Sequence, residues 1–437
     1  MSETIPFPVS SVPLAGEYDA FLCGCGLSSA AAAWNMAERG LKVGIAEYFG
    51  KPGGVPVTGI LGIVSGWRLE NEIVVDGVFL RELKTRTEKK GGYSSRHDWG
   101  GRFQPEVLGL VLLEMFRERK IDLMLYTQLV AARTEEGLIR EVFTASKQGL
   151  EAWRAKLFVD GTGDGDLAAM AGCPFEYGRT SDGKVQSSSL TFKIGGIDLS
   201  RIPENMRDAT KIWNTEPHNV PTNHTVITCL PNTNGEAAVN MTHILDCDPM
   251  THEGQLRIRY EGTLQAYEIV EFFRRRMPGF EKAYVSETAQ QPGVRETRRI
   301  LGDYVLTAED VIEGRDFEDE IARGCWGIDI HDPVTMHGVT PMPHFNLSRS
   351  YGIPYRCITP RGIRNLYIAG RPISATHEAF SSSRINGSCI ALGEAIGAAA
   401  PQAIAAGDTR KIDVAQLQAK LIEQGAIINY TLLVKTK

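Results

Sequence analysis

The residues with the plainest chemical logic are glycines. Gly24-Cys25-Gly26-Leu27-Ser28-Ser29 follows a short apolar run, Tyr18 to Cys23, and leads into an Ala-rich stretch. At such a junction the first glycine makes a tight turn and the second lets backbone N–H groups approach a pyrophosphate. A third small residue, here Ser29, lets the following helix pack close to the sheet. Glu47 stands about 20 residues further on, where a carboxylate accepts hydrogen bonds from ribose hydroxyls. The spacing predicts a dinucleotide site; the alternative is a plain packing turn with Glu47 as a solvated strand-end acid. An acid at position 47 disfavours the 2′-phosphate of NADP. Cys23 and Cys25 flank the turn, either as thiols tuned by a helix N-terminus or as small side chains filling a crowded bend. A second chemical signal is His331, set between Asp329 and Asp332 in Ile-Asp-Ile-His-Asp-Pro. This is the surrounding of a proton shuttle, and equally of a structural histidine satisfied by its acids. His97, His224, His243, His252, His337 and His344 have no comparable context and read as structural. No histidine pair or cysteine pattern has zinc-ligand spacing, so no metal site is expected.

These residues need elements to hold them. Tyr18–Cys23 reads as a strand, Ser28–Arg39 as a helix stopped by Gly40, and Leu41–Ala46 as a second strand. This is the β-α-β unit that opens a parallel sheet. Glu106–Lys120 reads as an amphipathic helix after Pro105. Leu123–Ala132 and Ile139–Ala145 read as strands joined through Thr134-Glu135-Glu136-Gly137, and Ala155–Val159 as another buried strand. From about Phe175 to about Ser350 the pattern changes. Strand-like segments fall at Ser188–Ile194, Thr225–Leu230 and Ala237–Ile244, with a long amphipathic helix over Gln255–Arg276. Asn365–Ala369 returns to a buried strand, and Ser388–Ala405 is a helix of small residues. The expected fold is α/β: a Rossmann-like nucleotide-binding domain formed by 17–175 and 351–437, interrupted by an inserted α+β domain over 176–350.

Three separated segments carry a family resemblance. Glu47-Tyr48-Phe49-Gly50-Lys51-Pro52-Gly53-Gly54 continues the first turn. Val159-Asp160-Gly161-Thr162-Gly163-Asp164-Gly165-Asp166 places a second glycine-rich turn after a strand. Asn365 to Arg371, followed by Ser374-Ala375-Thr376-His377-Glu378-Ala379, makes the third. In this order they resemble the FAD signatures of FAD-dependent oxidoreductases with the glutathione-reductase-like fold, and are similar to fumarate reductase and succinate dehydrogenase flavoproteins. Arg295 to Ile300, Ile328 to Pro333 and Ile353 to Arg356 extend the likeness, which spans about Tyr18 to about Ala405. The resemblance implies FAD as cofactor. It implies contacts from Gly24, Gly26, Ser28, Ser29, Glu47, Tyr48, Gly53, Gly54, Leu129, Gly161, Thr162, Gly163, Asp166, Gly370, Arg371, Ser383, Arg384 and Ile385. Ser29 and Gly161 depart from the family's usual Ala or Gly and Ala. No histidine follows Gly53-Gly54, as in covalently flavinylated relatives, so non-covalent FAD is expected.

Flavin chemistry asks the protein for orientation, a proton donor or acceptor, and charge near the ring. In Arg295-Glu296-Thr297-Arg298-Arg299, strand alternation would put Arg295 and Arg299 on one face and Glu296 and Arg298 on the other. One face would offer guanidinium to an anionic substrate or to the flavin; the alternative is a strand whose Glu296 pairs with an arginine. His377 stands just before a helix, either on the substrate side of the ring or in a capping or core role. Arg295, Arg298, His331 and His377 are therefore the catalytic candidates.

Composition narrows the function classes. The 437 residues carry 47 Lys and Arg against 53 Asp and Glu, a net charge of -6, with no basic stripe for nucleic acid. The N-terminus has neither a basic start nor an apolar run, and no window suggests a membrane span. Eight cysteines without C-x-x-C fit free thiols in a reducing cytoplasm. The expected protein is a cytoplasmic enzyme that exchanges a hydride between a small-molecule substrate and FAD. A non-redox use of the same fold, as in flavin-dependent methyltransferases or thiazole-forming enzymes, is the alternative. Substrate, electron acceptor and oligomeric state, a homo-oligomer included, stay open.

Overall fold

The chain opens as its apolar runs predict. β1 (Leu14–Cys23) passes through Gly24–Gly26 into α1 (Leu27–Glu38) and returns as β2 (Val43–Ala46), parallel to β1 with Cys23 beside Ala46. The computed structural model describes residues 11–70, 72–95, 100–202, 206–335 and 347–428. His97, His337 and His344 lie outside the described residues. The helices α2 (Val78–Lys89) and α3 (Pro105–Glu118) follow, the second with proline at its first position and the Gln104 side chain accepting the Val107 N–H at 2.7 Å.

The expected strand over 123–132 is a correction. It divides into β3 (Asp122–Met124), parallel to β2, and β4 (Gln128–Glu135), antiparallel to β5 (Leu138–Ser146). Tyr126 between them takes φ +55, and Thr127 N–H donates to Glu47 O at 2.9 Å. One continuous apolar run thus serves opposite edges of the sheet, because this bend carries the chain from one edge to the other.

β6 (Gly149–Asp160) lies parallel to β1 along its length. Its first half pairs with β5, and its last residues pair in parallel with Leu366–Ile368, so that Phe158 faces Leu366 and Asp160 faces Ile368. The seven strands run β3-β2-β1-β6-β5-β4, with Leu366–Ile368 sharing the edge of β6. Cys23, Ala46, Asp160 and Ile368 are register neighbours at the carboxyl ends of their strands. The three glycine-rich segments therefore leave the sheet side by side, in the crevice where open α/β sheets bind ligands.

Further along the chain lie α4 (Asp166–Met170) and α5 (His252–Arg276), then the C-terminal helices α6 (His377–Ser383), α7 (Asn386–Ala406) and α8 (Val414–Glu423). α7 packs on α1 through small residues: Ala30 to Ala33 are fully buried, and a Cβ at Gly393 would collide with Ser28 O. By length and apolarity α7 would pass as a membrane span, but two thirds of its most apolar window is buried inside the protein.

Hydrophobic packing forms one large cluster around the sheet, reaching Ile300, Leu306, Val311 and Ile328, and a second drawn from residues 192–283. The second holds a four-stranded sheet of Phe192–Gly195, Ile227–Cys229, Ala237–Val239 and Tyr284–Thr288, backed by α5 through Ala266, Ile269 and Phe273. These strands are shorter than expected; Ser188 and Ser189 make single bridges to Ile244 and Gly293. The expected strand alternation over Arg295–Arg299 is also corrected. Only Arg298–Ile300 pairs, with Phe175–Tyr177, and the preceding residues leave the strand to bond elsewhere.

Candidate active site at the carboxyl edge of the sheet

The first turn is closed by its own acid. Glu47 is buried, and its Oε2 accepts the Cys25 N–H at 2.6 Å while Oε1 accepts the Phe49 N–H at 2.8 Å. Burial pushes this carboxyl up, and the backbone donors oppose the shift. Gly53 N–H donates to Cys25 O at 2.7 Å, so Gly53-Gly54 runs against the turn. A Cβ at Gly26 would meet nothing within 4 Å, so there is open space at the position where a pyrophosphate approaches. Cys23 and Cys25 are buried, and burial drives both thiols well up, which suits side chains filling a crowded bend rather than reactive thiols.

The second turn leans on Asp160. Its carboxylate accepts from Thr162 N–H at 3.1 Å, Thr162 Oγ1 at 2.7 Å and Ala168 N–H at 2.8 Å, and burial pushes it up to about 6. Gly161 fits against Ser29, since a Cβ there would collide with Ser29 Oγ. Asp164 joins the second turn to the third: it accepts Thr297 Oγ1 at 2.7 Å and pairs with Arg371. Arg298 donates to Asp166 Oδ1 at 2.8 Å and Asp164 O at 3.1 Å, which attaches it to the second turn. Tyr48 lies near the chain that leads to Leu129. With Phe49, Tyr126 and Gln128 it lines a cavity of about 490 Å³, which Arg259 of α5 bounds from the other side.

Several polar atoms on these segments are buried with no hydrogen-bond partner in the described protein. Ser28 Oγ, Ser29 Oγ, Arg371 Nη1, Ser383 Oγ and Arg384 Nε are among them. Buried groups of this kind are costly unless something satisfies them. Ser28 and Ser29 on the first segment and Arg371 on the third, beside the open space at Gly26, fit a dinucleotide lying across the strand ends.

The catalytic candidates converge only in part. Arg295 is buried and donates to Ser187 O at 2.8 Å. Burial and then Arg384 pull it down to about 9, with Asp329 opposing. Arg384 donates to Asp329 O at 3.1 Å and lies 3.8 Å from its carboxylate. Burial alone would raise Asp329; His331, Arg384 and Arg295 together hold it below the usual carboxylate range. Arg299 turns away from Arg295 to pair with Glu296, so the sequence's alternative of an arginine-paired Glu296 holds. Arg298 does not join Arg295 either.

His331 is enclosed. Its Nδ1 lies 3.0 Å from His243 Nε2, its Nε2 lies 3.5 Å from Asp329 Oδ1, and His243 Nδ1 lies 3.3 Å from Met241 O. Two neutral imidazoles carry two protons, whereas these three links between two acceptor ends need three. Burial, and then Arg295, keep the third proton off, pushing His331 down to about 3 and His243 well below its usual range. His377 is arranged differently: Nδ1 lies 2.9 Å from Glu296 Oε1, and Nε2 has no hydrogen bond among the described residues. Reasoning from sequence did not name Glu296, Asp329, Gln186, Ser187 or His243 as catalytic candidates. Asp329, two residues before His331, and Glu296, inside the arginine run, had a local signal. Among the described residues no group of His, Cys, Asp and Glu is arranged to hold a metal ion.

A family model for FAD-dependent oxidoreductases matches residues 19–421. No curated protein matches the chain. Among solved structures, a geranylgeranyl bacteriochlorophyll reductase-like protein from Thermoplasma acidophilum aligns over 94% of this chain and 84% of its own, at 12% identity and a TM-score of 0.44. The p-nitrophenol 4-monooxygenase PnpA from Pseudomonas putida DLL-E4 aligns over 94% and 85%, at 13% identity and 0.43. The flavin-dependent brominase Bmp2 aligns over 92% and 83%, at 10% identity and 0.47. The family match runs from β1 into α8 and takes in all three glycine-rich segments, so the chain belongs to the FAD-dependent oxidoreductase family.

Proposed function

We propose that this FAD-dependent oxidoreductase acts on a small substrate bearing an anionic oxygen, held where Arg295, Arg384 and Asp329 meet. The observation that carries the reading is a charge imbalance: the buried Arg295 guanidinium has no ion pair among the described residues, and the half-buried Arg384 lies 3.8 Å from its one carboxylate, Asp329. A buried cation without a full partner is unstable, and an anionic ligand relieves it with charge-assisted hydrogen bonds. Unpartnered Gln186 Nε2, Ser187 Oγ and Arg384 Nε stand around the same residues as further hydrogen-bonding groups.

Bound FAD supplies the hydride acceptor or donor. Ser28, Ser29 and the N–H groups at Gly26 would hold its pyrophosphate, Glu47 its ribose, Tyr48 and Leu129 the adenine side, and the stretch from Gly370 to Ile385 its ring. The absence of a histidine after Gly53-Gly54 supports non-covalent attachment. Asp329 keeps the Arg384 head group in place, and the His243–His331 pair walls the site. Residues 176–350, with their separate cluster at 192–283, would choose the substrate. A similarity to fumarate reductase flavoproteins accords with an anionic substrate. Eight free cysteines support a cytoplasmic setting. The family match lends nothing to the non-redox alternative.

The test is an anaerobic screen of the purified yellow protein against hydroxy acids, amino acids, alcohols, amines and sugars, following loss of flavin colour. Bleaching by a carboxylate-bearing compound and not by its methyl ester is expected. Equal bleaching by neutral and anionic members of a pair, unchanged in Arg295→Gln, overturns the anionic reading.

A further inference from the structure

We propose that His377 is the proton acceptor of the reaction and that Glu296 is the positioning residue that makes it one. The proposal rests on the reading above, that the stretch from Gly370 to Ile385 holds the FAD ring, and takes the direction in which the substrate is oxidised.

Thr376 caps α6 by accepting the Ala379 N–H at 3.3 Å, which makes His377 the first residue of the helix. Glu296 is fully buried and takes three donors. Its Oε2 accepts the Gln186 N–H at 3.0 Å, and its Oε1 meets both the Arg299 guanidinium and His377 Nδ1. Arg299 in turn donates to Ala375 O at 3.1 Å, two residues before the histidine, and to Gly178 O at 3.0 Å. The Arg299 guanidinium can only donate, so the Glu296 Oε1 that it shares with His377 serves as an acceptor. The ring proton therefore sits on Nδ1 of His377, and the lone pair sits on Nε2.

That nitrogen distinguishes the two histidines named by the sequence. Both ring nitrogens of His331 face protein partners, whereas Nε2 of His377 has none among the described residues. An acid that fixes the tautomer of a histidine and stabilises its protonated form is the arrangement of a general base. The step balances for a substrate carbon bearing hydrogen and a hydroxyl or amine. With FAD bound, the C–H hydrogen would leave with both electrons of the breaking bond to the flavin. The C=O or C=N bond forms, and the O–H or N–H proton passes to Nε2.

The experiment has two readouts on FAD-loaded enzyme. The first is nitrogen-15 NMR of histidine-labelled protein, with His377→Gln used to assign the signal. A ring protonated at Nδ1 in the unaltered protein, and no longer fixed there in Glu296→Gln, is expected; a proton on Nε2 overturns the proposal. The second is the rate of flavin reduction from pH 5 to 9 by whichever compound bleaches the protein. His377→Gln should lose the ionisation and roughly 100-fold or more in rate, the usual scale for a general base. Glu296→Gln should move the apparent ionisation, and Glu296→Asp should restore part of the rate. An unchanged rate and pH profile in His377→Gln overturns the proposal. If no compound bleaches the flavin, the function reading fails, and the NMR result still decides the dyad. Should Glu296→Gln fail to fold, Glu296→Asp takes its place in both readouts, with a shifted Nδ1 signal and a shifted pH profile expected.

Discussion

At the scale of single residues, Ser29 and Gly161 explain each other. Each departs from the family's usual choice, and the structure brings them into contact. Gly161 does not take a left-handed φ, so its backbone alone tolerates a side chain. What excludes one is the Ser29 hydroxyl. Gly161→Ala should cost about 1–3 kcal/mol by overpacking and weaken FAD retention. Adding Ser29→Ala should recover most of that loss. A denaturant-unfolding cycle checks this, and additive single effects sink the idea, since touching residues couple by about 0.5–3 kcal/mol. Arg295 makes a second residue-scale prediction. Arg295→Gln should raise KM for the anionic substrate about 10- to 100-fold, the loss of a charged hydrogen bond of roughly 1.5–3 kcal/mol, and leave the flavin spectrum intact.

At the scale of elements, α7 and α2 are joined by one buried acid. Glu394, on α7, accepts the Leu80 N–H at 3.2 Å in the first turn of α2, where no side-chain cap is present. Burial pushes its carboxyl up to about 7, against the helix N–H groups that hold it down. The folded pKa lies above the unfolded one, so the folded state binds this proton more tightly. Its contribution to stability is complete below about pH 4.3 and is lost as pH rises through 7. Glu394→Gln keeps an acceptor for the helix and removes the titration. The variant should gain stability over the parent on going from pH 5 to pH 8, by about 1–3 kcal/mol. Parallel urea melts at the two pH values check it, and a constant difference would count against the buried-acid account. The elements themselves were largely legible. Tyr18 to Ala46 reads as strand, turn, helix and strand because each apolar run is unbroken and each break carries a glycine. The 123–132 run was not legible as two strands, because the bend at Tyr126 depends on Glu47 O, a partner 80 residues away in the chain.

At the scale of the whole molecule, the two largest hydrophobic clusters among the described residues divide the work. Phe158 is fully buried in the cluster around the sheet, next to the second turn, and Phe273 is fully buried in the cluster over 192–283. Truncating either to alanine should cost about 3–5 kcal/mol. The consequences should differ: Phe158→Ala should bleed FAD on gel filtration, and Phe273→Ala should keep the yellow colour while losing substrate-dependent bleaching. Loss of FAD from both to the same extent would mean that the clusters act as one.

The same division marks what the sequence could and could not determine. Local pattern was enough for the sheet's opening unit and its first glycine turn, because turn geometry, helix packing and strand ends are set by neighbours in the chain; FAD came from the resemblance of three glycine-rich segments to a known family. The arrangement of charge was decided only by the tertiary structure. Strand alternation would have placed Arg295 with Arg299, but Arg295 reaches Ser187 O and Arg299 reaches Glu296, Ala375 O and Gly178 O. Glu296 meets His377 across 81 positions and Gln186 across 110, and Asp164 meets Arg371 across 207. A buried charge settles where a partner can satisfy it, and no local rule of spacing says which distant segment will bring that partner.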